Sequence, residues 1–307
     1  MKNIPRNFKN GDQVVLPPYG VGIVSGTTTK TIAGADLQYY QVEFPNGTSK
    51  AYVPVKSPQE AGLRPALTGE EVKRCNQAID HHIGQLREMQ DSLAGGSGAL
   101  AGTSHRKDMG GLLSWDRPWC EHFRKLLVHP NVSPYLDTIL GKSYRLDHGP
   151  SLIAMDEGTE GGTLHGGGIE RPNFSEAYFF KDGRIYCGLT VVEFMLADEG
   201  SGDGGLGLIP GSHKANFSCP FDMDDASSNP MAEPVLAGPG DVVVFSEGMT
   251  HNAYPVTNST IRRSIFFNYM PAIGRNNLPF QRMSIYPDHV LQRLPDQADM
   301  LTSAGYI

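Results

Sequence analysis

The sequence predicts a mainly β protein, with a small β-barrel, a helical stretch and then a β-sandwich or jelly roll. Three observations lead to this prediction. The 307 residues include 36 glycines and 22 prolines, which favours many turns and short strands. Short segments rich in valine, tyrosine and phenylalanine recur near both ends of the chain, separated by glycine-rich turns. Apolar residues at helical spacing are concentrated in the region between them.

The first strand-rich segment covers residues 8–55 and contains "QVVLPPYGVGIVSG", "YYQVEF" and "KAYVPV", with "PNGT" as a turn. This pattern is typical of a small barrel of SH3 or Tudor type. The order of these stretches, followed by "AGLRP", resembles the N-terminal module of CarD-type transcription regulators. The resemblance implies a β-barrel over residues 1–66 that docks on RNA polymerase. The basic DNA-contacting helical domain of CarD proteins is missing here, so a strand-rich accessory domain is the competing interpretation.

Helices are predicted in the middle of the chain. The stretch "LTGEEVKRCNQAIDHHIGQLREMQDSL" predicts a helix with Thr68 as N-cap and Glu70 and Glu71 in its first turn. The stretch "PWCEHFRKLLVHPNVSPYLDTIL" predicts two short helices separated by Pro130, with Gly141 after the second. These helices are expected to flank a β domain that covers residues 67–307.

Strands return from about residue 144. Several short strands with glycine and aspartate turns favour a sandwich or jelly roll over a doubly wound sheet. The predicted strands lie in "YRLDHGPSLIAM", "IYCGLTVVEFML", "GLGLIPGSHKANF", "DVVVFSEG" and "RRSIFFNYM".

Composition excludes several classes of protein. No run of 18 apolar residues predicts a membrane span, and the N-terminus has no signal-peptide pattern, so we expect a cytoplasmic protein. A formal charge of −7 argues against a general nucleic-acid binder. The "GDGGLG" stretch lacks the strand-then-helix setting of a dinucleotide site. Free thiols are expected at the four widely spaced cysteines, Cys75, Cys120, Cys187 and Cys219.

Two histidines stand out by their surroundings. His165 lies in the glycine-rich "EGGTLHGGGIE", and His251 follows the apolar strand "DVVVFSEGMTH". Taken singly, each is better explained as an ordinary surface or core histidine. Arg262 and Ser264 lie two residues apart, so on a strand they share one face, where they can anchor a carboxylate. The combination predicts a metal site at the histidines with a carboxylate anchor nearby.

Residues from about 68 to 285 resemble the phytanoyl-CoA dioxygenase-like family. The resemblance is carried by "RLDHGPSLIAM", "LHGG", "GDGGLGLIPGSHKANF", "GDVVVF" and "TH" followed by "RRS". It implies a double-stranded β-helix that uses Fe(II), 2-oxoglutarate and O2 to oxidise a small molecule. It also implies that His165 and His251 bind the iron, and that Arg262, assisted by Ser264, binds the far carboxylate of 2-oxoglutarate.

The sequence departs from this family at Gly167. The usual first motif is H-x-D, in which the acid is the third iron ligand, and Gly167 occupies the position of that acid. Three explanations are open: a carboxylate from elsewhere, an open position taken by water or by chloride as in aliphatic halogenases, or the loss of iron chemistry. In the last case the chain would act as a binding or regulatory protein. The acids in or near the motif strands are Glu170, Glu176, Glu193, Asp198 and Glu247.

Overall fold

The structure is a computed structural model, and it divides into two compact units, Met1–Thr68 and Gly69–Ile307. All four cysteines are free thiols. Within the described part of the chain, no helix is long and apolar enough to cross a membrane. The residues that the structure describes are 8–16, 20–32, 35–44, 50–56, 67–88, 106–142, 144–167, 174–200 and 202–271.

The first unit is a four-stranded antiparallel sheet in the order β1-β2-β3-β4. Its apolar core contains Val14, Val24, Tyr40, Val42 and Val53, so valines of the strand-rich segments supply most of this core. The strand register shifts by one residue between Val24 and Gly26, which is a β-bulge. The strands are β1 (Gln13–Leu16), β2 (Gly20–Ile32), β3 (Ala35–Glu43) and β4 (Lys50–Pro54).

The second unit is a jelly roll built from two facing antiparallel sheets, and the predicted fold class is confirmed. The larger sheet has the order β13-β10-β15-β7-β6-β5, and the smaller has the order β12-β11-β14. The larger sheet consists of β5 (Arg87–Glu88), β6 (Lys107–Met109), β7 (Arg145–Met155), β10 (Thr190–Met195), β13 (Val242–Ser246) and β15 (Arg262–Met270). The smaller sheet consists of β11 (Leu206–Leu208), β12 (Glu233–Pro234) and β14 (His251–Ala253). A separate hairpin is formed by β8 (Tyr178–Lys181) and β9 (Arg184–Cys187).

Helices cover the outer face of the larger sheet, and this explains why every residue of β10 is buried. Asn76 donates a hydrogen bond to the Leu196 carbonyl at 3.2 Å, and Arg263 pairs with Asp80 at 2.7 Å. Tyr269 of β15 donates its hydroxyl proton to the Leu127 carbonyl at 2.7 Å. These contacts fix the sheet from outside and leave its other face for the site. The helices are α1 (Gly69–His81), α2 (Cys120–Leu126) and α3 (Ser133–Leu140).

Two helix predictions are confirmed and one is too long. The two short helices α2 and α3 are present, and Gly141 ends the second. Helix α1 ends at His81, well before the end of the helical pattern, and a 3-10 turn at Ile83–Gln85 follows it. Gly84 weakens the helix at this point. Ile83 is 48% exposed, so a longer helix would bury little additional apolar surface.

Candidate metal centre

Three side chains meet at one point: His165 from one segment, and Glu247 and His251 from the turn and strand that follow β13. The Nε2 atom of His165 lies 3.6 Å from Glu247 Oε1, and that of His251 lies 4.0 Å from Glu247 Oε2. The two imidazole rings have centroids 4.3 Å apart. The side chains are 14%, 22% and 9% exposed in chain order, so all three are mostly buried.

Backbone pairing brings the two histidines together. The His165 N–H donates to the His251 carbonyl at 3.1 Å, and the His251 N–H donates to the His165 carbonyl at 2.9 Å. This mutual pair extends the smaller sheet beyond β14. The Asn252 amide donates to the Thr163 carbonyl at 2.6 Å and ties the His165 segment to β14 a second time.

Glu247 is placed by the tight turn between β13 and β14. Its N–H donates to the Leu189 carbonyl at 2.9 Å, and the Met249 N–H closes the turn on the Ser246 carbonyl at 2.8 Å. Gly248 is required here because a Cβ at this position would overlap the Glu176 carbonyl oxygen. Glu247 lies four residues before His251 in the sequence, and the turn directs both side chains to the same point.

Both imidazoles are oriented for coordination through Nε2. The His251 Nδ1 atom lies 2.6 Å from the Met249 carbonyl, to which it donates, and His165 Nδ1 lies 3.4 Å from the Thr163 carbonyl. A histidine whose Nδ1–H bonds a carbonyl presents the Nε2 lone pair to a metal. Burial, with His165 alongside, lowers the pKa of His251 to about 4, so this ring is neutral at pH 7, as a metal ligand must be.

Gly167 contributes no ligand, and the fold explains why. Its φ is +78°, and a Cβ there would overlap the Thr250 hydroxyl. Thr250 itself is fixed: its hydroxyl donates to the Gly166 carbonyl at 3.2 Å, and its N–H donates to Ser212 Oγ at 2.7 Å. A side chain at residue 167 therefore has no room to point at the histidines without moving the segment that carries His251.

The set of two imidazole nitrogens and one carboxylate matches the facial triad of non-haem Fe(II) enzymes. The three ligand atoms lie within 4.8 Å of one another, and small side-chain movements would close this set around an ion. Phe245 packs edge-on against His251, with ring centroids 4.8 Å apart, and gives the site an apolar wall. The residues therefore fit a metal ion of this class.

Of the five acids considered from the sequence, the structure brings Glu247 to the histidines. Glu193 instead pairs with Arg262 at 2.5 Å, and Asp198 lies near Gly238 and Asp241. Glu176 is outside the three-residue cluster, and Glu170 lies outside the described residues.

The predicted carboxylate anchor is buried and already engaged. Arg262 donates to Glu193 Oε1 at 2.5 Å, to the Gly204 carbonyl at 2.7 Å and to Ser264 Oγ at 3.0 Å. Ser264 in turn donates to Glu199. Arg262 and Ser264 thus share a face as predicted, but two glutamates take the place of a free carboxylate ligand. The role of Glu199 was missed, since its stretch "DEGSGDGG" reads only as a turn.

Comparison with family models assigns two segments of the chain. Residues 8–67 match the CarD-like/TRCF RID domain. Residues 166–264 match phytanoyl-CoA dioxygenase (PhyH). Both resemblances are confirmed. The PhyH segment begins one residue after His165 and includes Glu247, His251, Arg262 and Ser264.

Solved structures support the jelly-roll fold around the PhyH segment. HygX from Streptomyces hygroscopicus with iron bound is 19% identical and has a TM-score of 0.54, over 69% of this chain and 82% of that chain. HygX with nickel, 2-oxoglutarate and hygromycin B bound is 19% identical with a TM-score of 0.53, over 69% of this chain and 83% of that chain. No curated protein matches the sequence.

Proposed function

We propose that the chain is an Fe(II)- and 2-oxoglutarate-dependent oxygenase that hydroxylates a C–H bond of a small molecule. The observation that carries the proposal is the convergence of His165, Glu247 and His251 on one point. The match of residues 166–264 to PhyH supports it, as do the HygX structures, in which iron, or nickel with 2-oxoglutarate, is bound. Hygromycin B in one of them supports a small-molecule substrate for this chain.

In this proposal His165, Glu247 and His251 would hold Fe(II), and the Nδ1 contacts of the two histidines with backbone carbonyls orient both imidazole rings. Fe(II) with bound 2-oxoglutarate and O2 supplies the oxidising chemistry. Three protein ligands leave three positions of an octahedral ion for cosubstrate and oxygen. Phe245 limits the access of water beside His251.

Hydroxylation is preferred over halogenation because of Glu247. In a halogenase, chloride occupies the metal position that the acid ligand otherwise fills. From the sequence alone, Gly167 indicates that this position is open. Glu247 faces both histidines and supplies the negative charge that a chloride would otherwise bring. A binding protein without iron chemistry is disfavoured because both histidines are oriented through carbonyl contacts at Nδ1.

The proposal is tested by adding 2-oxoglutarate to the Fe(II)-loaded protein without oxygen. A weak visible charge-transfer band is expected, because 2-oxoglutarate chelates iron in enzymes of this class. The band should be the same in chloride and in sulfate buffers. The absence of a band at saturating 2-oxoglutarate would contradict the oxygenase proposal, and a band that shifts with chloride alone would favour halogenation.

For the first unit, the CarD-like match supports a second candidate function, which is contact with RNA polymerase. The expected outcome is that the full chain retains core RNA polymerase in a pull-down and that deletion of residues 1–66 abolishes this. If neither the full chain nor the chain without residues 1–66 retained RNA polymerase, the unit would be identified as an accessory domain.

A further inference from the structure

The β8–β9 hairpin projects from the edge of the metal centre. The Glu247 N–H donates to the Leu189 carbonyl at 2.9 Å, and the Leu189 N–H donates to the Ser175 carbonyl at 2.8 Å. The base of the hairpin is closed by the Gly188 N–H, which donates to the Ala177 carbonyl at 2.8 Å. The backbone that places Glu247 therefore also holds the hairpin.

Four side chains share one face of this hairpin. Phe179 lies directly opposite Tyr186 in the strand register, and Lys181 lies directly opposite Arg184. Residues two apart on a strand point to the same side of it, so the aromatic pair and the cationic pair are neighbours about 7 Å apart. We call Phe179, Lys181, Arg184 and Tyr186 the hairpin face.

The aromatic pair of the hairpin face is exposed. Phe179 and Tyr186 are 52% and 42% exposed, and their rings are stacked, with centroids 4.7 Å apart and planes 10° from parallel. On the opposite face of the hairpin, Tyr178 packs edge-on against His213, with ring centroids 4.4 Å apart. One face of the hairpin thus packs on the protein, and the other presents an aromatic stack that a planar ring of a ligand can extend.

The cationic pair of the hairpin face has no counter-charge. Lys181 and Arg184 are both exposed, and neither is in an ion pair with any residue that the structure describes. Two cations and Asp182, in the turn between them, leave this tip a net charge of +1. Like charges directly opposite each other on neighbouring strands destabilise a sheet. An anion bound between the two side chains would remove this repulsion, and a guanidinium binds phosphate or carboxylate through two parallel hydrogen bonds.

We propose that the hairpin face binds the substrate through a planar ring and an anionic group, with the ring on the stacked aromatic pair and the anion between the two cations. The inference rests on the proposed function and names the substrate class of the same enzyme. The ring and the anion are separated by about 7 Å, the spacing of residues two apart on a strand. One aromatic pair beside one cationic pair fits a single small molecule, and the formal charge of −7 opposes a polyanion such as nucleic acid.

The hairpin face lies close to the metal centre. Phe179 and Tyr186 lie two residues, or about 7 Å, beyond the base of the hairpin. That base is bonded to the turn that carries Glu247. A ligand that extends from the aromatic pair towards the base therefore brings its other end to the side of the metal centre.

The first test is calorimetric titration of the full, metal-free chain with 2-naphthyl phosphate, which carries both a planar ring and an anion. Two matched probes lack one part each: 2-naphthol lacks the anion, and inorganic phosphate lacks the ring. We expect 2-naphthyl phosphate to bind at least about tenfold more tightly than either. Equal Kd values for 2-naphthyl phosphate and 2-naphthol, or no binding of 2-naphthyl phosphate at millimolar concentration, overturn the inference.

Variants at exposed positions locate the binding. We expect Tyr186→Ala and Arg184→Gln each to raise the Kd for 2-naphthyl phosphate about fivefold or more, and Tyr186→Phe, which keeps the ring, to leave it nearly unchanged. Phe217→Ala and Lys142→Gln are the controls, because they remove an exposed ring and an exposed charge outside the hairpin. Equal losses in the controls and in the hairpin variants contradict the inference.

The position of the bound probe relative to the metal centre is measured by NMR. In the chain loaded with paramagnetic Mn(II), we expect the proton signals of 2-naphthyl phosphate to broaden, and Arg184→Gln to abolish the broadening. Binding of the probe without broadening contradicts its position beside the metal centre. A contact between two copies of the chain is the alternative use of the hairpin face. It would be shown by a sedimentation rate that changes in Tyr186→Ala while binding of 2-naphthyl phosphate does not, and this outcome also overturns the inference.

The inference and the proposed function fail in different measurements. Hairpin-dependent binding of 2-naphthyl phosphate without the charge-transfer band of Fe(II) and 2-oxoglutarate contradicts the proposed function. A normal band without that binding contradicts the inference alone.

Discussion

At the scale of single residues, Glu247 has the most consequential position in the molecule. It faces both imidazoles from the turn that leads into His251. Glu247→Gln keeps the volume of the side chain and removes its charge, so we expect Mn(II) affinity to fall by at least about tenfold. Isothermal titration measures the effect. Glu233→Gln, which alters an exposed glutamate of β12, should bind Mn(II) as the unaltered protein does. Equal affinities for the two variants would remove Glu247 from the metal site.

Gly167 provides a second prediction at the residue scale. Its positive φ and the nearby Thr250 hydroxyl leave no room for a side chain. We expect Gly167→Ala to lower the free energy of unfolding by about 1–3 kcal/mol, as measured by urea denaturation. Gly110→Ala, where an added Cβ meets no atom within 4 Å, should have little effect. A Gly167→Asp variant should lose metal affinity instead of gaining a ligand, and an increase in affinity would contradict this explanation of the glycine.

At the scale of elements, the 3-10 turn at Ser212–Lys214 supports the strand that carries His251. Ser212 Oγ accepts the buried Thr250 N–H at 2.7 Å. Ser212→Ala leaves that N–H unpaired, which costs about 1–3 kcal/mol. We expect lower thermal stability and weaker Mn(II) binding, while the exposed Ser259→Ala changes neither. Lower stability with unchanged Mn(II) affinity would show that Ser212 supports the fold without positioning His251.

The elements themselves were largely predictable from the sequence, because strand periodicity and glycine turns are local signals. The long strands β7 and β15 follow their patterns closely. The stretch "IYCGLTVVEFML" was predicted as one strand and forms two, β9 and β10, separated at Gly188 and Leu189. Local patterns do not show which side chains meet across sheets. The sequence therefore supplied five acids for the third ligand, and the turn after β13 selects Glu247 among them. The same limit hid Glu199, whose contact with Ser264 joins residues 65 positions apart.

At the scale of the whole molecule, two buried groups, Glu193 and His251, contribute to the pH dependence of stability. The pKa of Glu193 is raised in the folded state, so its contribution to stability is present at low pH and is lost as the pH rises through about 7. The lowered pKa of His251 acts in the opposite sense, since its contribution is lost as the pH falls from about 6.5 towards 4.

The difference in stability between the unaltered protein and the Glu193→Gln variant isolates the effect of Glu193. We expect the stability of the metal-free protein, relative to Glu193→Gln, to fall between about pH 5 and pH 7.5. Thermal unfolding of both proteins over this range measures it. Parallel pH profiles would contradict the raised pKa of Glu193 in the folded protein.

The most direct test of the metal centre is a crystal structure of the protein with Mn(II) and 2-oxoglutarate, with the ion located by its anomalous signal. We predict one ion bound by His165 Nε2, His251 Nε2 and a carboxylate oxygen of Glu247, with no ligand from residue 167. An ion bound by the two histidines with water or chloride in place of Glu247, or bound elsewhere, would contradict the proposed triad.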